Sequence, residues 1–318
     1  WTINLIWFRP FNIKHFYDKV FVELALDSPE LTSQMGIPVL YDFSKDELDD
    51  ISDAKQWENF NKMKEDYKTL MSYDFKGQSE ENKLNTKILA YFLKGSIDGE
   101  PFFYHRYPVN QMQGIQSGLP SMMESAHKLR NKSDIEAYIE RLSKFDIKFN
   151  QLIENLKISE SKGIIPPKFV IDRVLDEMNG FIGLKNDSTN KIQDLNKNIS
   201  KAKSNILFTN FESKIDKIDK LTQEQKDSYK KEVETEIETT VFGAYKKLIN
   251  YFVQLKEKAT TDDGVWKLPD GDAYYRYQLK QHTTTDLDPE EVHQIGLAEV
   301  ARIKDEMQSI LVAEKYSD

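Results

Sequence analysis

The chain has 318 residues, no cysteine, 31% charged residues and a formal net charge of -9. The lack of cysteine excludes disulfide bonds, thiolate nucleophiles and cysteine-ligated zinc sites. The acidic balance argues against general nucleic-acid binding, because a phosphate-binding face needs clustered Lys and Arg. No apolar run approaches the roughly 20 residues that span a bilayer, so we expect no transmembrane segment.

Long helices with one buried side are predicted along most of the chain. Several begin at a Ser, Thr or Asp that is followed three residues later by Glu or Gln, and each continues with apolar residues at helical spacing. The capping pairs are Ser44 with Glu47, Ser133 with Glu136, and Thr222 with Gln225, and the helices that follow reach Met71, Leu156 and Leu255. The fold class is therefore mainly α, a long-helix array.

Two segments depart from this pattern. Residues 102–110 form the one stretch with extended character, and they lead into an irregular loop that contains Gly114, Gly118 and Pro120. Residues 185–220 are rich in Lys, Asn, Asp and Ser with a thin apolar stripe. We expect 185–220 to be an exposed helical excursion or a hinge.

The densest local pattern lies between Gly264 and Ile303. Pro269-Asp270-Gly271 has turn chemistry. Asp288 fits a helix N-cap, Pro289 the first helical position, and Glu291 the residue whose carboxylate reaches back to the cap. The segment predicts a helix, a polar elbow and a second helix.

The elbow carries the first group of candidate binding residues, Tyr274, Tyr275, His282, Thr283 and Thr284. Tyrosine hydroxyls and a neutral imidazole can donate hydrogen bonds to a substrate carbonyl. The structural alternative is that the tyrosines pack with one wet end, that the threonines cap backbone groups and that the histidine closes the preceding helix. The sequence leaves both interpretations open.

Asn110 and Gln111 form the second candidate group. Side-chain amides on an extended segment could pair with a peptide backbone. Alternatively, they satisfy the polar groups of their own loop, since irregular backbone must be hydrogen bonded.

Catalytic metal and serine sites have no sequence support. A zinc site commonly uses two histidines four residues apart on one helix, and no two of the five histidines lie three or four apart. The chain also lacks a G-x-S-x-G nucleophile elbow. We therefore expect no metal ligands and no catalytic residues in this chain.

Several stretches, in the same order along the chain, resemble one protein family. They are Phe16-Tyr17 with Val20-Phe21-Val22-Glu23, Tyr107-Pro108-Val109-Asn110-Gln111-Met112-Gln113-Gly114, Gly163-Ile164-Ile165-Pro166-Pro167, and the elbow segment. The chain resembles the domain of unknown function 885, a mostly bacterial group that looks like a branch of the zinc metallopeptidases and has lipoprotein-like members. The resemblance implies a helical metallopeptidase-type fold and a His-Glu-x-x-His motif in a later region, before which this sequence ends.

The resemblance implies that residues 1–318 are the N-terminal, substrate-cleft half of a zinc-dependent peptidase-like hydrolase. Zinc is then expected only in the full-length protein, and the partners are a peptide or small-molecule substrate and the C-terminal half of the same protein. Lipoprotein-like members imply a lipid anchor upstream and a location in the cell envelope or periplasm; otherwise the protein is cytoplasmic. The alternative function is a non-catalytic helical binding or scaffold module.

Overall fold

The computed structural model describes residues 8–184 and 202–316. These residues form α-helices joined by loops and short 3-10 turns, and they contain no strand. The predicted mainly α fold is thereby confirmed. The helices are α1 Ile13–Leu26, α2 Pro29–Met35, α3 Pro38–Ser44, α4 Asp53–Met71, α5 Glu80–Asp98, α6 Ile115–Ser125, α7 Lys132–Ser143, α8 Phe145–Ser161, α9 Lys168–Phe181, α10 Ile206–Ile215, α11 Gln223–Glu236, α12 Phe242–Lys256, α13 Gly271–Thr283 and α14 Pro289–Ala313.

The capping box predicted at Thr222 is confirmed. The Thr222 hydroxyl accepts a hydrogen bond from the Gln225 amide at 3.2 Å, and the Gln225 side chain accepts one from the Thr222 amide at 3.0 Å. A π-helical turn, Ile237–Val241, joins α11 to α12. The predicted helix over 222–255 is therefore two α-helices that continue through a π turn.

The predicted start at Ser44 is wrong. Ser44 ends α3, and it is buried with its hydroxyl donating to the carbonyl of Leu40. The next helix, α4, is capped by Ser52, whose hydroxyl accepts from the Lys55 amide at 3.3 Å. A hydroxyl that is engaged inside the core cannot serve as an N-cap.

The predicted start at Ser133 is displaced, and its helix is two helices. Asn131 is the N-cap of α7 and accepts from the Asp134 amide at 3.1 Å. Lys144 then separates α7 from α8. Leu142 and Phe145 on either side of the break are both fully buried, so the apolar stripe continues across it.

The chain divides into two compact units, Trp1–Asp263 and Gly264–Asp318. In the first unit, one large core joins side chains from α6 to α12, and a smaller cluster forms around Phe16, Leu70 and Leu93 of α1, α4 and α5. At roughly 25 cal/mol per Å² of apolar surface removed from water, such burial is the dominant stabilising term.

The prediction that residues 185–220 are exposed is wrong for α10. Its Leu207, Phe208, Phe211 and Ile215 are buried in the large core. These side chains recur at helical spacing, so one face of α10 is apolar in spite of the polar residues around it. Residues 185–201 of the predicted excursion lie outside the described residues.

The predicted extended character of 102–110 gives no strand. A 3-10 turn, Glu100–Phe102, leads into turns and loop, and Val109 is fully buried in the large core. The backbone here is held by turn hydrogen bonds such as the one from the His105 amide to the Phe102 carbonyl at 3.0 Å.

In the second unit, α13 and α14 follow a turn in which Asp270 has a positive φ of 50°. This is the predicted arrangement of turn, helix, elbow and helix. Within the described residues, no helix is both long enough and apolar enough to span a membrane.

Candidate functional site

The elbow between α13 and α14 is held by charges. Arg276 on α13 bonds with its Nη1 to Asp288, the N-cap of α14, and with its Nε to Asp272 at 3.1 Å. Lys280 pairs with Asp286 at 2.6 Å. The hydrogen bond from Arg276 is the main reason why the pKa of Asp288 lies below its usual value. Sequence analysis missed these pairs, although both basic residues stand on the turns of α13 that precede the elbow.

The predicted capping box at Asp288 is confirmed. Asp288 Oδ1 accepts from the Glu290 amide at 2.9 Å, while Glu291 Oε2 accepts from the Asp288 amide at 2.8 Å. Thr284 has a positive φ of 56° and closes α13 by donating its amide to the Lys280 carbonyl. The elbow is thus fixed on both sides.

The hydroxyls of Thr283 and Thr285 lie within hydrogen-bond distance of each other in the elbow. Thr283 Oγ1 donates to the Leu279 carbonyl at 2.8 Å and lies 3.0 Å from Thr285 Oγ1. The Thr285 amide donates to Thr283 Oγ1 at 3.3 Å. Thr283 therefore has the bonding of a helix-closing residue.

The aromatic candidates lie along α13. Tyr275 and His282 are exposed, and Tyr274 is half-buried. Because Tyr275 and His282 lie seven residues apart, about two helical turns, they face a similar direction. The exposed donor groups of the elbow thus include the Tyr275 hydroxyl, the His282 imidazole and the Thr284 hydroxyl, whereas the Thr283 hydroxyl is engaged within the elbow.

Asn110 of the second group bonds to its own loop. Its Oδ1 accepts from the amides of Met112 and Gln113, both at 2.9 Å, and its Nδ2 donates to the Tyr107 carbonyl at 3.0 Å. Gln111 is half-buried in the turn. Both groups of the Asn110 amide are therefore engaged in shaping the loop that precedes α6.

This loop leads to an unusual helix start. Pro120 lies inside α6 and has no amide hydrogen to give the carbonyl of Gln116, four residues earlier. The buried hydroxyl of Tyr245 on α12 donates to that carbonyl instead. Burial is the main reason why the pKa of Tyr245 lies well above its usual value, and the charge of Glu177 adds to the effect.

A pocket of about 210 Å³ lies beside this contact, between α6, α9, α10 and α12. Its lining is apolar in part and carries two carboxylates. It is formed by Gln116, Ser117, Pro120, Ser121, Glu124, Glu177, Met178, Phe181, Ile206 and Tyr245. Sequence analysis missed this pocket. The predicted irregular loop over Gly118 and Pro120 is wrong, because both residues lie inside α6.

A second polar cluster is buried around Arg141 and has a structural arrangement. Arg141 is fully buried; its Nε donates to the Glu47 carbonyl at 2.9 Å and its Nη2 to Ser33 Oγ at 2.7 Å. Its Nη1 lies 3.2 Å from His127 Nδ1. The cluster fastens α2, α3 and the chain before α4 to α7, and its residues do not line the pocket between α6, α9, α10 and α12.

The described residues do not fit a zinc site. Across 8–184 and 202–316, no three His, Asp or Glu side chains are placed so that they could hold one ion. His127 is buried against Arg141, which opposes a nearby metal cation.

Comparison with known proteins supports the fold. A crystal structure described as that of "the putative lipoprotein from Colwellia psychrerythraea" superposes with a TM-score of 0.79 at 24% identity. The match covers 95% of this chain and 52% of that one, so the chain spans about half the length of the solved protein. At this identity the likeness shows a shared fold.

The family comparison is more direct. No curated protein matches the chain. Residues 29–317 match the family described as bacterial protein of unknown function (DUF885). Because the match covers most of the sequence, the chain belongs to this family.

Proposed function

We propose that this chain forms the substrate-cleft part of a zinc-dependent, peptidase-like hydrolase of the cell envelope. Zinc and the catalytic His-Glu-x-x-His motif belong, in this proposal, to a part of the full-length protein outside residues 1–318. The described residues bind and orient a peptide or a small molecule. The proposal rests on the family resemblance and above all on one structural observation, the exposed apolar face of α14.

That face is a continuous stripe. Val292, Gly296, Val300, Ile303, Met307 and Ile310 recur at intervals of three or four residues, which places them on one side of the helix. Val300, Ile303, Met307 and Ile310 are between 45% and 63% exposed. Contiguous apolar surface of this kind marks an interaction site. A further part of the same protein is the partner that the proposal assigns to it.

The length of the solved relative supports the same assignment. The Colwellia protein has about twice the length that this chain covers, which leaves room for a second region of comparable size. Its description as a lipoprotein is the basis for proposing a cell-envelope location and a lipid anchor upstream of this chain.

In the proposed cleft, α13 supplies the polar contacts. The Tyr275 hydroxyl and the His282 imidazole can donate hydrogen bonds to a substrate carbonyl, while the ion pairs of Arg276 and Lys280 hold the elbow that carries them. In the full-length protein, Tyr275→Phe and His282→Gln should raise the KM for peptide substrates and leave the zinc content unchanged. Tyr91→Phe on α5 is the matched control. An unchanged KM in both variants contradicts the cleft role of α13.

The competing function is a non-catalytic binding module. It is favoured by the pocket between α6, α9, α10 and α12, because every residue that lines it lies within Trp1–Asp263. The two functions differ in a simple observation. A full-length sequence that contains no His-Glu-x-x-His stretch would leave only the binding module.

A further inference from the structure

The pocket in the first unit has an acidic edge. Glu124 on α6 and Glu177 on α9 both line it. Neither carboxylate forms an ion pair with a residue of the described ranges, whereas Asp172 on α9 pairs with Lys256 at 2.6 Å. Lys214 on α10 donates to the main-chain carbonyl of Glu124 at 2.6 Å. Burial lowers the pKa of Lys214, and the charge of Glu124 partly offsets this effect.

Glu177 is held in place by a buried amide. Gln116 is 2% exposed, and its Nε2 donates to Glu177 Oε2 at 2.9 Å and to the Asn110 carbonyl at 2.6 Å. Its Oε1 has no hydrogen-bond partner among the described residues. A buried polar atom without a partner costs free energy, so this arrangement holds the carboxylate at the expense of stability.

Gly114 makes the arrangement sterically feasible. A Cβ atom at this position would lie 1.9 Å from Gln116 Oε1 and 2.6 Å from the amide nitrogen of Asn110. Any side chain at residue 114 would therefore displace the Gln116 amide and release Glu177. The loop, the glycine and the amide together fix one carboxylate at the edge of the pocket.

The remaining walls are apolar. Pro120, Met178, Phe181 and Ile206 face the cavity, and the Phe181 ring stacks on Tyr245 with centroids 4.4 Å apart. A volume of about 210 Å³ is below the roughly 300–1,000 Å³ of sites for drug-sized ligands. The pocket thus has room for one side chain or one short aliphatic molecule.

We propose that this pocket binds a primary alkylammonium group, with the ammonium between Glu124 and Glu177 and the alkyl chain against Phe181 and Ile206. The ammonium supplies three donors to two carboxylates that form no direct ion pair within the described residues. The same chemistry is offered by a free short amine and by the side chain of a peptide lysine. The inference is independent of the hydrolase proposed above, because it uses the first unit alone.

The test is a titration of the 318-residue chain with small ligands, in which NMR chemical shifts of the protein report binding. Pentylamine should bind saturably, and sodium pentanoate, of similar size and opposite charge, should not. Nα-acetyl-lysine N-methylamide distinguishes the two sources: tighter binding than pentylamine indicates a peptide lysine, and weaker binding indicates a free amine. Absence of pentylamine binding, or equal binding of pentanoate, overturns the proposal.

Three variants locate the binding. Glu177→Gln and Glu124→Gln should each weaken pentylamine binding by about tenfold, as expected for loss of a charge-assisted hydrogen bond. Ser121→Leu should abolish binding, because it fills the pocket from an exposed position of α6 that the core does not need. The control Glu65→Gln makes the same charge change on α4, outside the pocket. Binding that is unchanged in the pocket variants, or lowered equally by the control, contradicts the assignment.

Discussion

The hydroxyl of Tyr245 replaces the missing amide hydrogen of Pro120 as the donor to the carbonyl of Gln116. Tyr245 and Gln116 are 129 positions apart in the sequence, and both side chains are buried. The contact therefore ties α12 to an irregular turn of α6 and fixes one wall of the pocket.

Tyr245→Phe should destabilise the protein, because it leaves the Gln116 carbonyl buried without a donor. The expected loss is about 1–3 kcal/mol in the free energy of unfolding, measured by urea denaturation. Pro120→Ala restores the helical donor, so Tyr245→Phe should cost less in that background. Equal cost in both backgrounds would show that the hydroxyl does not compensate for the proline.

Arg141→Met should destabilise the region around α2 and α3. Arg141 donates to main-chain carbonyls and a serine hydroxyl that are 94 to 112 residues away in sequence, and the substitution leaves several buried acceptors unpaired. We expect a loss of about 3 kcal/mol or more and faster hydrogen exchange in residues 29–52. Arg173→Met, at an exposed position of α9, is the control. If α2 and α3 exchanged their amide hydrogens as slowly in Arg141→Met as in the wild type, Arg141 would not hold this region in place.

His127 should make the protein sensitive to acid. Burial, with a smaller contribution from the charge of Arg141, lowers the pKa of His127 from 6.5 to about 3. The unfolded chain therefore takes up a proton near pH 6.5, whereas the folded protein does not. The contribution of the neutral His127 to the free energy of unfolding is fully present above pH 6.5 and is lost as the pH falls toward 3. The loss is at most about 1.4 kcal/mol per pH unit.

The variant His127→Gln should flatten this slope between pH 6.5 and 4, even though it lowers stability at neutral pH. His15→Gln, at an exposed position, should keep the wild-type slope. Parallel pH profiles for wild type and His127→Gln would show that the histidine does not titrate on unfolding.

Asp49 should affect the pH dependence of stability in the direction opposite to His127. Burial, followed by the charge of Glu30, raises the pKa of Asp49 from 3.8 to about 6. Its contribution to stability is thus present below pH 3.8 and is lost as the pH rises through 6. Asp49 Oδ1 accepts a hydrogen bond from the backbone amide of Glu30 at 3.0 Å. The variant Asp49→Asn keeps a side-chain oxygen that can accept this bond.

At pH above 6, Asp49→Asn should therefore be more stable than wild type by about 1–2 kcal/mol, and the gain should vanish in acid. Thermal unfolding across the pH range measures it. Asp50→Asn, the exposed neighbour, should show no such dependence. A variant that is less stable than wild type at pH 8 would contradict this account.

Local signals predicted the helical fold. The capping boxes at Thr222 and Asp288 depend on residues three apart, so their chemistry is complete within one turn of sequence. Ser44 has the same spacing to Glu47, but its hydroxyl bonds inside the core to Leu40 and contacts Thr32. Tertiary packing decides whether a serine caps the helix that follows it or bonds inside the core, and sequence spacing does not show which applies.

The pocket could not be predicted, because its parts are distant in sequence. Gln116 is 61 residues from Glu177 and 129 from Tyr245, and a helical pattern shows which face is buried but not which helices meet. The elbow was predictable in outline for the converse reason, since its caps lie within a few residues of each other. The pairing of Arg276 with Asp288 was the long-range element that the pattern of caps did not reveal.

The central claim is that this chain supplies the substrate cleft of a hydrolase whose zinc is held elsewhere in the full-length protein. The most direct measurement is zinc content together with cleavage of a mixed fluorogenic peptide library, for the full-length protein and for the 318-residue chain side by side. The account predicts about one zinc per full-length molecule, in line with a single three-ligand catalytic site, and chelator-sensitive cleavage by that protein alone. Zinc-dependent cleavage by the 318-residue chain, or a full-length protein with neither zinc nor activity, would contradict it.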